Sequence, residues 1–336
     1  MGAVQQTTSV DVCVVIDCNE WIRLKWLGSP IGLTFISALK RDPSLKLAIP
    51  EVLGGELDKH RAETARSLLR RLEDVSADIK AVTGDSTTAG VITMTEVSIE
   101  VAIRQRLSVI AEQAIYPDMS IDEVRRALVR VNADAAPNAP KNQQMKDSLL
   151  WEACVTLADD YRVIFVTGDN AFYSGRQPKN GLAHNLALEP SVNDGRLRVF
   201  PSLEDAMRFF APESSVGSNE VVGIESKDLI ATQARDAFSR SAIAADIQAE
   251  FEFRGVVPAY FRTDVPHAFA VSFTAFFYVN RNAEDRAQGE AAVSGECRLD
   301  TRQATIEAVN LQRISWDLKG PAGGQIKAHE VLDGEG

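Results

Sequence analysis

Two hydrophobic periods divide this chain. Up to about residue 212, short apolar runs alternate with stretches of helical spacing, and beyond it apolar and polar residues alternate one by one. In the first region "VDVCVVI" (10–16) and "LKLAI" (45–49) predict strands, each ending at an acidic or turn-prone residue. Between them, "EWIRLKWLG" and "IGLTFISALKRD" carry helical spacing. From Glu51 a long helix is expected, with apolar residues at 53, 57, 65, 68, 69, 72 and 75 approximating one face, until "TGDSTTAG" (83–90) interrupts it. Another helix is expected over 97–114, and "MSIDEVRRALVRV" opens with Ser120 and Glu123 at capping-box spacing. The turn-rich "NADAAPNAP" leads into a helix within "KNQQMKDSLLWEACVTLADDY", with Leu149, Leu150, Ala153 and Leu157 on one side. The strands "RVIFVTG" and "LRVF" and the helix "SLEDAMRFF" complete the region. Strands alternating with helices predict an α/β fold with a mostly parallel sheet and helices on both faces.

The piece "APESSVGSN" marks a change of texture, and 213–226 reads as a linker. One helix is expected over about 227–245. Phe251 and Phe253 then alternate with charged residues, and Phe269, Val271, Phe273 and Phe277 with polar ones. Val293, Cys297 and Leu299 face away from Ser294, Glu296 and Arg298, while Ile314, Trp316 and Leu318 alternate with Ser315, Asp317 and Lys319. Such runs predict a C-terminal α+β domain, 227–330, whose antiparallel sheet buries one face.

Composition narrows the chemistry. The 336 residues are 45% apolar and 25% charged, an ordinary globular balance that allows two domains. Cys13, Cys18, Cys154 and Cys297 have neither disulfide nor metal-type spacing and are expected to be core thiols in a reducing compartment. The longest apolar-rich segment, "HAFAVSFTAFFYV", falls far short of the roughly 20 residues that span a bilayer. No leader is recognisable at the N-terminus, and Gln6 stands where a myristoylation signal requires Ser or Thr. A cytoplasmic protein without membrane contacts is expected. The net charge of −11 argues against a general nucleic-acid electrostatic footprint. The acidity leans toward the C-terminal part, where 12 Lys and Arg face 19 Asp and Glu after residue 212.

In an open parallel sheet, ligands bind beyond the carboxyl ends of the strands. Asp17 follows "VCVVI" and Asp169 follows "VIFVTG"; Glu56 and Asp147 lie on early turns of helices leaving the same edge. Four convergent carboxylates repel one another unless cations sit among them. Hard divalent ions such as Mg²⁺ or Mn²⁺ prefer oxygen ligands, and two of them about 4 Å apart can activate water and stabilise the leaving oxygen of a phosphodiester. The four histidines, 60, 184, 267 and 329, show no zinc-type spacing.

"VVIDCNEW", "IPEVLGGELDKH", "QMKDSLLWE" and "FVTGDNAFY" resemble, in order, the four acidic motifs of PIN-domain nucleases, in particular PIN-like proteins with a long helical insertion after the second motif. The resemblance spans about residues 10–210, with the insertion over about 60–140, and gives 1–212 as one domain. It implies a three-layer α/β/α sandwich and metal-dependent cleavage of RNA, with Asp17, Glu56, Asp147 and Asp169 as catalytic ligands and Asn170 in the usual polar position beside the fourth acid. The family also contains enzymes acting on DNA flaps and members without activity, so a flap-type nuclease and an inactive RNA- or protein-binding scaffold are the alternatives. A haloacid-dehalogenase phosphatase fits poorly, because Asp17-Cys18-Asn19 lacks a second Asp. RNA is the expected partner, alongside a protein partner or inhibitor and self-association.

Every position has a competing structural role. Asp17 suits a helix N-cap; Glu51 at a helix start competes with Glu56; Asp147 is a first-turn acid; and Asp169 in "TGDN" suits a turn. Glu152 is expected to be solvated or a secondary neighbour, and Thr167 either positions water or metal or satisfies local backbone. Arg176 and Lys179, just beyond Asp169, are the nearest candidates for phosphate contacts, ahead of Arg66, Arg70 and Arg71 or Arg125, Arg126 and Arg130. Trp21 and Trp26 are expected in the core, and His60 in a packing or capping role.

Overall fold

The computed structural model describes residues 11–84, 94–212, 215–216, 226–238, 249–281, 288–303, 305–319 and 325–331. Two compact units emerge, and neither is continuous in the chain. One comprises Met1–Trp21 with Leu39–Ser202, the other Ile22–Ala38 with Leu203–Gly336. The sequence reading expects a single boundary near 212 instead.

The first unit is built on five parallel strands: β1 (Val12–Ile16), β2 (Leu45–Ala48), β3 (Ala114–Ile115), β4 (Arg162–Val166) and β5 (Leu197–Phe200). Their order is β3-β2-β1-β4-β5. Central β1 pairs with both β2 and β4, and Cys13–Ile16 and Val163–Val166 are wholly buried. Burial on both faces accounts for the unbroken apolar runs in these strands. Strand β3 replaces the end of the helix expected over 97–114. That helix stops at Ser108, and Ala114–Ile115 instead pair with Leu47–Ala48, because the open edge of β2 offers hydrogen bonds that a frayed helical turn does not.

The helices are α1 (Cys18–Arg23), α2 (Pro30–Arg41), α3 (Glu51–Thr83), α4 (Glu96–Ser108), α5 (Ile121–Asn132), α6 (Met145–Leu157), the single turns α7 (His184–Ala187) and α8 (Pro190–Asn193), α9 (Leu203–Phe210) and α10 (Ser226–Phe238). The expected helix through "EWIRLKWLG" ends at Arg23, since Lys25, Trp26 and Leu27 take φ of 51°, 56° and 58°. This left-handed turn buries Leu24, Trp26 and Leu27 together, which one face of a continuing helix does not accomplish. Gly32 is required beneath it, because a Cβ there would lie 2.6 Å from Leu27 Cα. Helix α5 starts at the expected capping box, with Ser120 N–H donating to Glu123 and Glu123 N–H to Ser120 Oγ. Helix α6 packs against α5, α3 and β4, and it buries Ser148, Trp151, Glu152 and Cys154 beyond the single stripe expected.

The second unit carries β6 (Ser215–Val216), β7 (Ala249–Arg262), β8 (Ala268–Arg281), β9 (Gln288–Asp300), β10 (Thr305–Lys319) and β11 (Gln325–Val331), paired antiparallel in the order β11-β10-β9-β8-β7-β6. The alternation fixes its core. Val271, Phe273, Phe277, Val293, Cys297, Leu299, Ile314, Trp316 and Leu318 form one cluster with Ile230 and Ala234 of α10. The expected helix over 227–245 corresponds to α10, and the remainder of that span and most of 213–226 lie outside the described residues. One expectation fails on the opposite face. Glu296, placed there with polar neighbours, is completely buried, because the segment 22–38 covers it: Ile31 N–H, at the start of α2, donates to Glu296 Oε2 at 2.9 Å.

Candidate metal centre

Backbone pairing holds two of the four acids at one edge. Asp17 N–H continues the ladder beyond β1 by donating to Val166 O at 2.9 Å, and Thr167 N–H does the same toward Phe200 O at 2.9 Å. The Thr167 hydroxyl links the acids, donating to Asp17 Oδ2 at 2.7 Å while accepting from Asp169 N–H at 3.1 Å. Thr167 is fully buried, and its carbonyl accepts from Tyr173 O–H at 2.7 Å. Its hydroxyl therefore orients a carboxylate and a turn. Asp169 Oδ1 accepts from Ala171 N–H at 2.7 Å, so the turn role and membership of the acidic group coexist in one side chain.

The other two acids come from helices. Asp147 lies in the first turn of α6, whose entry is fixed by Asn138: its side-chain oxygen accepts from Gln144 N–H at 2.7 Å and its amide donates to Ser148 Oγ at 2.8 Å. Glu56 projects from the second turn of α3, next to Lys146 Nζ at 3.8 Å. Glu51 lies elsewhere; it is exposed and accepts from Met119 N–H at 2.9 Å.

The acids sense one another. Burial pushes Asp17 up to about 6; the charges of Asp169 and Glu56 add to this, while hydrogen bonds from Thr167 and the Cys18 backbone oppose it. Asp147 rises to about 7, first through burial and then through the charges of Asp17, Asp169 and Glu56, with Lys146 pulling the other way. Asp147 thus feels all three other acids and Asp17 feels Asp169 and Glu56, and Glu51 and Glu152 do not figure among the causes. An all-oxygen, mutually repelling set of this kind fits a hard divalent cation, whose charge would reverse both shifts.

The remaining expected residues separate. Glu152 is 1% exposed and ion-paired to both Arg126 and Arg130, which makes it a packing residue instead of a solvated or secondary neighbour. The same pairs withdraw Arg126 and Arg130 from any phosphate track, and Arg125 pairs with Asp122 at 3.1 Å. Asn170, Arg176 and Lys179 are exposed in the turns after Asp169. Arg176 and His184 border a concavity of about 310 Å³ with Asn138, Tyr173 and Ser174. Arg66, Arg70 and Arg71 are exposed on α3. Trp21 and Trp26 are core residues, and all four cysteines are free and buried. Sequence reasoning overlooked Lys146, although its place beside Asp147 was visible, and took Cys18 for an ordinary core thiol.

Comparison with protein-family models, with curated proteins and with solved structures returns no match. Among the described residues, no helix is long and apolar enough to cross a membrane.

Proposed function

We propose that the parallel-sheet unit is a metal-dependent nuclease, an endoribonuclease hydrolysing RNA phosphodiester bonds, with Asp17, Glu56, Asp147 and Asp169 holding one or two Mg²⁺ or Mn²⁺ ions. The observation that carries this reading is the gathering of those four carboxylates at the carboxyl edge of the sheet, where burial first and the neighbouring acids second raise Asp17 to about 6 and Asp147 to about 7. Motif order and the likeness to PIN-domain nucleases point the same way, and the buried free thiols suit a reducing, cytoplasmic setting.

When bound, a divalent cation supplies Lewis acidity, making water a better nucleophile and offsetting charge on the departing oxygen. The chain supplies position. Thr167 holds the Asp17 carboxylate by its hydroxyl, and the Ala171 N–H pins that of Asp169, so neither must reorganise when substrate arrives. Lys146 offsets part of the charge on Glu56. Arg176 and Lys179 are exposed on the turns that follow Asp169, where they can contact the polynucleotide backbone without reading sequence. No covalent intermediate is needed.

The test is cleavage of labelled RNA and DNA by purified protein with Mn²⁺ or with chelator, using wild type, Asp17→Asn and Asp169→Asn. Metal-dependent RNA cleavage lost in both variants supports the reading. Cleavage of DNA alone selects the flap-type alternative, and RNA binding without cleavage under any cation selects the scaffold.

A further inference from the structure

Immediately beside the four acids lies a second group of different chemistry. A Cys18 thiol, a Glu56 carboxylate and a His60 imidazole each present one ligand atom, and these atoms lie within 4.8 Å of one another. Cys18 opens α1 directly after Asp17, whereas Glu56 and His60 are four residues apart on α3 and so share one face of that helix. Four-residue spacing aligns two ligands toward one ion.

His60 is oriented for ligation by a residue outside the group. Its Nδ1 lies 2.9 Å from Glu63 Oε2, and a proton held on that side would leave the Nε2 lone pair on the other side of the ring. Nε2 is the atom that faces Glu56, 4.0 Å from Oε1. A carboxylate next to the far nitrogen of a ligating histidine is the recurring outer support of transition-metal sites. Sulfur and nitrogen bind an ion of the Zn²⁺ class at about 2.0–2.3 Å, so tetrahedral ligands stand roughly 3.5 Å apart.

We propose that Cys18, Glu56 and His60 form a binding site for a thiophilic divalent transition ion, Zn²⁺ or Co²⁺, distinct in ligand type from the all-oxygen set but sharing Glu56 with it. Soft sulfur selects against Mg²⁺ at this position. Because one carboxylate serves two sites, such an ion withdraws Glu56 from the acids and opposes Mg²⁺-supported activity; this consequence, unlike the binding itself, rests on the nuclease reading.

Cobalt(II) titration followed by near-ultraviolet absorbance tests it, since thiolate ligation gives an intense charge-transfer band. The wild-type chain is expected to develop the band at one equivalent and Cys18→Ser to lack it. His60→Ala and Glu63→Gln are expected to weaken Co²⁺ binding by about tenfold or more. Asp169→Asn is expected to retain the band, because that residue belongs to the oxygen set only. Circular dichroism controls for folding, and the two α3 variants, on the partly exposed face of the helix, report on the site even if Cys18→Ser fails to fold. A folded wild type without a band, or a band that survives in Cys18→Ser, overturns the proposal. Zn²⁺ inhibition of Mg²⁺-supported RNA cleavage that is relieved in His60→Ala supports the shared-carboxylate consequence, and inhibition unchanged in His60→Ala overturns it. A cobalt band in a protein that cleaves nothing leaves this site standing while the nuclease reading falls.

Discussion

Each unit buries carboxylates, and the two do so in opposite ways. In the antiparallel unit, Glu296 is wholly enclosed but surrounded by donors: Ile31 N–H at 2.9 Å, the Asn310 amide at 3.1 Å and the Gln312 amide at 3.0 Å. Arg23 clamps neighbouring Glu204 with two bonds of 2.9 and 2.6 Å and also reaches Gln312 at 3.0 Å. Two register shifts in β10, one just before Asn310 and one at Gln312, occur here, and Gly295 leaves room, since a Cβ would lie 2.7 Å from Asn310 O. In the parallel unit, Asp17 and Asp169 also have donors, the Thr167 hydroxyl and the Ala171 N–H, but their charges and that of Glu56 bear on Asp147, with Lys146 as a partial counterweight. The lesson is that burial alone does not identify a site. One acid ringed by donors holds segments together, whereas several acids whose charges oppose one another suit a cation.

Charge removal breaks the comparison most strongly. Asp17→Asn and Asp169→Asn are expected to lower RNA cleavage by about a thousandfold, about 4 kcal/mol of barrier, with Asp17→Asn no less stable than wild type in the absence of metal. Single-turnover rates and thermal unfolding with chelator measure the two effects. In the other network the same logic inverts: Arg23→Met removes both guanidinium bonds to buried Glu204 beside Glu296 and is expected to destabilise the antiparallel unit by about 3 kcal/mol in denaturant unfolding.

Cation binding sharpens the contrast. Mg²⁺ at a hundredfold excess over its Kd is expected to stabilise the parallel unit by about 2.7 kcal/mol by mass action. Asp17 and Asp147 are raised when folded, so their contribution to metal-free stability is complete at acid pH and is lost as pH rises through about 6 and about 7. Mg²⁺ competes with the protons, and its stabilising effect should therefore be larger at pH 8 than at pH 5 in calorimetry. An equal effect at both pH values removes these acids from cation binding.

The smallest effect concerns Glu296. Burial first, then the charge of Glu204, raises it to about 7 from an ordinary 4.5, against Arg23 and its hydrogen bonds. Its contribution is present below the ordinary value and disappears as pH rises through about 7. Glu296→Gln keeps an acceptor oxygen and removes the titration, so the stability difference between pH 5 and pH 8 should shrink by about 2 kcal/mol. An unchanged profile assigns that pH dependence to other groups.

Much of this was written in the chain. Alternating residues such as Phe273, Phe277, Val293 and Ile314 announced the antiparallel core, and the apolar runs before Asp17 and Asp169 announced the central parallel strands, because periodicity is a local property that burial imposes on neighbouring residues. Acids following strands were legible for the same reason, since parallel topology brings strand ends together. The competition between Glu51 and Glu56 was not, nor was the fate of Glu152, Arg126 and Arg130, which depends on how α5 and α6 pack.

By itself, then, the sequence determined the elements, their two textures and a short roster of acids. Only the tertiary structure decided that residues 22–38 belong with the antiparallel sheet, that Glu296 is covered, that Ala114–Ile115 form a strand and that Cys18 and His60 meet at Glu56. These outcomes are set by contacts between residues tens to hundreds of positions apart, and no local pattern encodes which distant partner will neutralise a buried charge.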